Sequence, residues 1–374
     1  MLRVSHDPRP DWRERAGAMG FSFAEIAGEA YWDETAHWRF TAGEVDTLED
    51  ATNELQRLCL HAAEHAVRFN KRDMLGLSDR AWDLAVRSWE RGEPSLYGRM
   101  DLRWDGSGPP VLLEYNADTP TALFEAAVVQ WEWLSCAYPA MDQFNAIHEA
   151  LIAAWPAMRL PPAVHFCAQR DSDEDRGTVD YLRDTAIQAG LQAPFLHVDE
   201  IGWNGAGFVD MAGREMGAAF KLYPWEWMVR DEFGAQLGRA ATRWIEPPWR
   251  MLLSGKGVLA LLWELFPGHP NLLPAFRQPG RTGAKEVQKP LWGREGANIF
   301  APGGLSTPGP YGARGSVWQA WAPLPCVDGR YPVLGSWIVA GKAVGLGIRE
   351  DATPITRDTS RFVPHLFEPH PEDA

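Results

Sequence analysis

Apolar positions recur at helical spacing between residues 44 and 70, where Val45, Leu48, Leu55, Leu58, Leu60 and Ala63 form one stripe. Glu44 and Asp46 fall in its first turn, where the helix dipole favours acids. A second helix is predicted over Asp79–Arg91. The period then changes. A short alternating run carries Arg99 and Asp101, a turn follows at Asp105-Gly106-Ser107-Gly108, and an apolar run spans Val111–Leu113, which together predict a hairpin. Leu123, Ala126, Ala127 and Leu134 predict a helix over 122–133, and residues 135–160 continue largely helical. Strand 163–168, polar loop 169–175, helix 177–189 and strand 195–198 predict a βαβ unit. A strand at 218–223 and a helix at 258–266, stopped by Pro267, Gly268 and Pro270, follow. From Glu286 onward the texture is strands and tight turns: 286–292, 316–324, and a hairpin of 333–339 with 343–348 around Ala340-Gly341-Lys342. Residues 1–20 read as an irregular entry arm.

Composition narrows the class. The 374 residues, 45% hydrophobic and 23% charged, suit a globular protein of two or three lobes around a shared core. A net charge of −14 argues against nucleic-acid binding, which needs clustered Lys and Arg. It suits a cationic partner such as a polyamine, and equally plain solubility. The 19 Trp residues are read mainly as core and loop packing. Cys59, Cys136, Cys167 and Cys326 form no CxxC pair and are expected to be free, buried thiols. His61 and His65 stand four apart, but no third ligand accompanies them. No apolar leader or membrane-length segment is present, so a cytoplasmic protein without a membrane span is expected.

The apolar run at 111–113 ends abruptly in Glu114-Tyr115-Asn116-Ala117-Asp118-Thr119-Pro120-Thr121. Side chains alternate along a strand, so Glu114 and Asn116 share a face, and Asp101 can join them across the hairpin. Two carboxylates and an amide oxygen make a hard-oxygen cluster that suits Mg²⁺. The same residues also read as a polar strand end, with Thr119 or Thr121 capping the next helix. The acidic loop Gln169–Asp175 lies at the carboxyl end of a βαβ strand, where open sheets bind ligands, and also reads as a solvated turn.

Arg99-x-Asp101, the run from Glu114 to Thr121, then Glu125, Gln130 and Trp131, resemble the synthetase domain of the glutathionylspermidine synthase family, ATP-grasp-type carboxylate–amine ligases. Later segments extend the resemblance over roughly residues 15–367. It implies an α+β or α/β architecture, an ATP-grasp-like fold with mixed sheets and interleaved lobes. Residues 1–95 would form an N-terminal helical layer, 96–160 the metal and substrate hairpin with its helix, and 161–250 a βαβ substrate lobe. Residues 251–367 would form the ATP lobe with its Gly-rich loop, and 368–374 a flexible tail.

The resemblance implies ATP as a substrate and Mg²⁺ as the metal, held by Asp101, Glu114 and Asn116. Lys256, Lys289 and Gln319 would contact ATP, and Gly293-Arg294-Glu295-Gly296 would close over it. That glycine loop also reads as a hairpin turn, and GxxxxGK[ST] is absent, which argues against a P-loop enzyme. Arg99 and Arg349 would steady an acyl phosphate, their planar forks suiting its oxygens, unless they pair with Asp101 and Asp351. Thr119 and Thr121 would bind the terminal carboxylate of a small peptide or amino acid. Asp173 and Glu174 would hold an amine or polyamine. ADP and phosphate would leave. Full-length bifunctional members carry an amidase domain for which no room remains before Tyr97, so a stand-alone synthetase, monomer or homodimer, is expected. The alternatives are another ATP-dependent peptide ligase or kinase, and a non-catalytic nucleotide- or peptide-binding module.

Overall fold

The computed structural model describes residues 1–26, 28–312 and 314–369. Five antiparallel strands from distant parts of the chain form its central sheet. Across it lie Arg361–Val363, Lys342–Asp351, Tyr331–Val339, Tyr97–Arg103 and Val111–Asn116. The helix Ala42–Arg68 lies on the long C-terminal hairpin and buries Leu48, Leu55, Leu58 and Ala62. Thr41 and Glu44 close a capping box at its start, so two orphan N–H groups are satisfied reciprocally. Within the interface the Thr52 hydroxyl donates to the Ser336 hydroxyl at 2.7 Å.

A second sheet is parallel, in the order Arg243–Ile245, Ala218–Leu222, His165–Ala168, Phe195–His197. The helix Asp173–Gln188 makes the predicted βαβ crossover. A smaller antiparallel sheet joins Ala275–Phe276, Ser316–Ala320 and Glu286–Pro290. The chain is thus mixed α/β with several sheets. Strands from 97–116 and 331–363 share one of them.

Several expectations need correction. The N-terminal arm is not irregular: Leu2–Ser5 is a strand on Ala36–Phe40, and Trp12–Ala18 is a helix. The helix at 177 begins earlier, at Asp173, because the Ser172 hydroxyl caps the Asp175 N–H. The acidic residues there are therefore a helical first turn, not a loop. Neither Thr119 nor Thr121 caps the helix after the motif, which opens as a π-helical turn, Glu125–Val129, before Gln130–Ala137. The helical stretch 135–160 is broken between Ala137 and Ile147. Cys59 and Cys167 are buried free thiols, but Cys136 and Cys326 are exposed. The His61 ring meets Phe266 edge-on and the His65 ring lies against Phe69. Among the described residues no helix is long and apolar enough to cross a membrane. The tail expected to be flexible lies, for residues 370–374, outside the described residues.

Candidate active site

The paired strands Tyr97–Arg103 and Val111–Asn116 set Asp101 directly opposite Glu114, and Arg99 opposite Asn116. Their two-residue period puts all four side chains on one face. That face forms a wall of a cavity of about 230 Å³, which Thr119, Thr121, Lys256, Lys289, Gln319 and Arg349 also line. The loop from Gly293 through Gly296 lines it as well. The structure therefore brings the expected metal, nucleotide, arginine and threonine positions together. Asp173 and Glu174 are the exceptions. Asp173 is exposed and neither lines the cavity; Asp175, one residue on, does.

Charge at this face is not balanced. Asp101 accepts from Arg99 through two contacts, 2.6 and 3.2 Å, from Arg349 at 3.0 Å and from the Asn116 amide at 3.2 Å. Asp351, the alternative partner for Arg349, is taken instead by Arg357. Glu114 pairs with Lys256 at 2.9 Å. Lys289 donates to the Leu113 carbonyl at 2.9 Å and to Gln319 Oε1 at 2.8 Å. Burial works to raise the Glu114 carboxyl, but Lys256, Lys289 and Arg99 overcome it and hold the group well below the usual carboxylate range. Burial pushes Lys289 down to about 8, against the pull of Glu114. Two carboxylates ringed by four cations make an anion receptor. The carboxylate oxygens are hard donors that fit Mg²⁺; the Asn116 amide turns its nitrogen to Asp101 and Glu114 and would offer its oxygen only after rotating, and the surplus cations make the fit depend on an accompanying anion.

The glycine loop is held down rather than free. Lys256 donates to the Gly293 carbonyl at 2.8 Å. Arg294 reaches across the cavity, donating to Thr119 Oγ1 at 2.7 Å and to Glu226 Oε1 at 2.9 Å. Gly296 has φ +65°, and a Cβ there would run into the Thr356 carbonyl, so glycine is needed for the close approach.

Acids gather beyond the arginines. Glu125 is fully buried in the π-helical turn, a feature common at functional sites. Its Oε1 accepts from the Tyr31 hydroxyl at 2.7 Å, and its Oε2 has no partner among the described residues. Burial, with Glu174 adding repulsion, pushes Glu125 up to about 7, and the same two causes raise Asp175 to about 7. Sequence reading noted Glu125 only as part of the motif and passed over Asp175. The helical phase set by Ser172 was the signal that separates Asp175 from its neighbours.

Two buried ion pairs hold the motif from behind, and both were missed. Asp118 accepts from Lys221 at 2.7 Å and from the Trp225 N–H at 2.9 Å. Arg250 donates to the carbonyls of Ala117 and Tyr97, at 2.6 and 2.9 Å, and pairs with Glu246. Glu246 in turn accepts the N–H groups of Leu96 and Tyr97, both at 2.9 Å.

The glutathionylspermidine synthase preATP-grasp family model matches residues 3–368. The chain belongs to that family. A Haemophilus influenzae member, provisionally named an acid–amine ligase, is 41% identical over 99% of this chain and 100% of its own length. The bifunctional glutathionylspermidine synthetase/amidase of Escherichia coli is 27% identical over 94% of this chain, and trypanothione synthetase of Crithidia fasciculata is 26% identical over 76%. The matches span 63% of the E. coli enzyme and 49% of the Crithidia enzyme. These family members are ligases. The Arg99–Asp101 and Glu114–Asn116 pairs of the present family member form the cavity wall described above.

Proposed function

We propose that the protein is an ATP- and Mg²⁺-dependent carboxylate–amine ligase that activates a small peptide or amino-acid carboxylate as an acyl phosphate and passes it to an amine. The observation that carries this reading is the cross-strand pair Asp101–Glu114 ringed by Arg99, Arg349, Lys256 and Lys289 over one cavity. Lys256 and Lys289 neutralise phosphate oxygens, and the Gly293–Gly296 segment covers them. Gln319 orients Lys289. Asp101, Glu114 and Asn116 would hold Mg²⁺, which supplies charge neutralisation and alignment of the transferred phosphoryl group. Thr119, Thr121 and Arg294 orient the acid. Arg99 and Arg349 offset the charge that develops on the acyl phosphate. Asp175, which lines the cavity, attracts the ammonium group and accepts its proton, leaving a neutral amine to attack the acyl carbon, while Glu174 and the buried Glu125 stand behind it and add negative charge. Asp173, exposed and off the cavity, takes no part.

The test is ADP release from the purified protein, with a panel of peptides crossed against amines and polyamines. The expected result is ADP that appears only when one acid and one amine are both present, with an amide as product. A stable phosphorylated product would make it a kinase. Calorimetry supplies the second arm. The four cations predict weak Mg²⁺ binding alone and at least tenfold tighter binding with ADP present. Equal Mg²⁺ affinity with and without nucleotide would sink the metal assignment, and no ATP binding would sink the ligase reading.

A further inference from the structure

A second cavity, of about 440 Å³, opens beside the first. It lies at the carboxyl ends of three parallel strands: Gln169 follows His165–Ala168, Val198 follows Phe195–His197, and Tyr223 follows Ala218–Leu222. From His165–Ala168 the chain moves to one side, to Phe195–His197, and then crosses to the other, to Ala218–Leu222. The gap between the first and last of these strands is therefore the topological switch point, where open parallel sheets bind ligands. Gln169 lines both cavities. Along the next segment, Leu222, Pro224 and Trp227 face the reaction cavity while Tyr223 and Met228 face the second. The two spaces thus meet along one wall, on the side where Glu226 and Thr119 engage Arg294.

The second cavity has its own chemistry. Ile201, Phe208, Met228 and Leu237 give it an apolar floor. Among the described residues Arg170 is its one basic lining residue, and it is already paired with Asp199 and Glu200, at 3.2 and 3.1 Å. Asp231 and Glu232, both exposed at the mouth, have no ion-pair partner among the described residues. An apolar floor under two carboxylates that lack a cationic partner, Asp231 being held by the Tyr223 hydroxyl, selects an apolar group that carries a positive charge.

We propose that this cavity receives the remote end of the acid substrate, an apolar side chain beside a free ammonium group, as at the N-terminus of a short peptide. The assignment rests on the ligase reading and adds the selectivity of its acid. The cavity adjoins the reaction cavity through Gln169 and the segment 222–228.

The test uses calorimetry on the full chain with Mg²⁺ and a non-hydrolysable ATP analogue. The probes are the tripeptide Leu-Gly-Gly and its N-acetylated form. Wild type is expected to bind the free peptide at least tenfold more tightly than the acetylated one. Leu237→Trp, which fills the apolar floor, should weaken the free peptide by about tenfold or more. Asp231→Asn, at the exposed mouth, should remove most of the preference for the free amine without disturbing the fold. Nucleotide affinity should stay unchanged in both variants. Equal binding of the two peptides, no peptide binding, or indifference to both substitutions would overturn the assignment while leaving the ligase reading standing. Failure of the wild type to bind the nucleotide would instead bring down the ligase reading itself.

Discussion

Lys289 carries the sharpest consequence of burial at the level of a single residue. Its ammonium sits away from water, which lowers its pKa to about 8, while Glu114 draws it back and Lys256 adds to the depression. On the proposed ligase reading, the charged form below about pH 8 would attract phosphate and the neutral form above it would not. The free enzyme's kcat/KM for ATP should therefore fall about tenfold per pH unit on the alkaline side of 8. Lys289→Arg keeps its charge throughout that range and should abolish the fall, at some cost in absolute rate because a fork replaces a point charge. Steady-state kinetics from pH 6 to 10 check this, and an unchanged alkaline limb in the arginine variant would remove Lys289 from the phosphate site. The opposite sign applies at the amine end. Asp175, which lines the cavity and is raised to about 7 by burial and Glu174, ionises as pH rises, so capture of a cationic amine should improve through neutrality. Together the two limbs place the optimum between the two values.

The glycine loop is the element whose behaviour the sequence conveyed least well. The resemblance implies a loop that closes over the nucleotide, yet here Arg294 ties it to Thr119 and Glu226. Arg294 is charged and faces the cavity, so a substrate carboxylate competes with Glu226 for it. Glu226→Gln should loosen the tie. Trypsin cleavage after Arg294 should speed up several-fold relative to wild type, and the nucleotide should slow it again. Equal cleavage rates would show that Glu226 does not restrain the loop. What was legible in the sequence follows a physical rule. The helix Ala42–Arg68 and the C-terminal hairpin have long periodic patterns, and the short paired strands around Asp101 and Glu114 lie next to each other in the chain across one turn. The strand Leu2–Ser5 is four residues long and pairs with residues 36–39, so its period is too short to register. Asp118 could be seen as part of the motif, but its partner Lys221 stands 103 positions away, and no local pattern links them.

That pair decides how the whole molecule holds its site. The antiparallel sheet supplies Asp101 and Glu114, and the parallel sheet supplies Lys221 from the strand Ala218–Leu222. Lys221–Asp118 joins the two, and both groups are 1% exposed. Lys221 also lies over the Trp225 ring at 4.6 Å, and Asp118 receives the Trp225 N–H. The motif loop therefore takes its position from the parallel sheet, so that Thr119 and Thr121 face the cavity that the antiparallel sheet floors. Removing one partner leaves a buried charge without compensation, at a cost of about 3–5 kcal/mol. Lys221→Met should lower the thermal midpoint markedly. Adding Asp118→Leu removes the stranded charge and should recover much of the loss, since an apolar pair of similar volume often replaces a buried ion pair with little penalty. Stability and activity should then separate. The double variant frees the Trp225 N–H and no longer fixes the loop, so its KM for the acid should stay at least tenfold above wild type while its KM for ATP, assigned by the proposal to Lys256 and Lys289, should change little. Thermal unfolding and steady-state kinetics on the four proteins measure both quantities. A double variant that regains stability and acid affinity together would reduce the pair to a structural contact. One that regains stability alone would make it the device that registers one sheet against the other at the site.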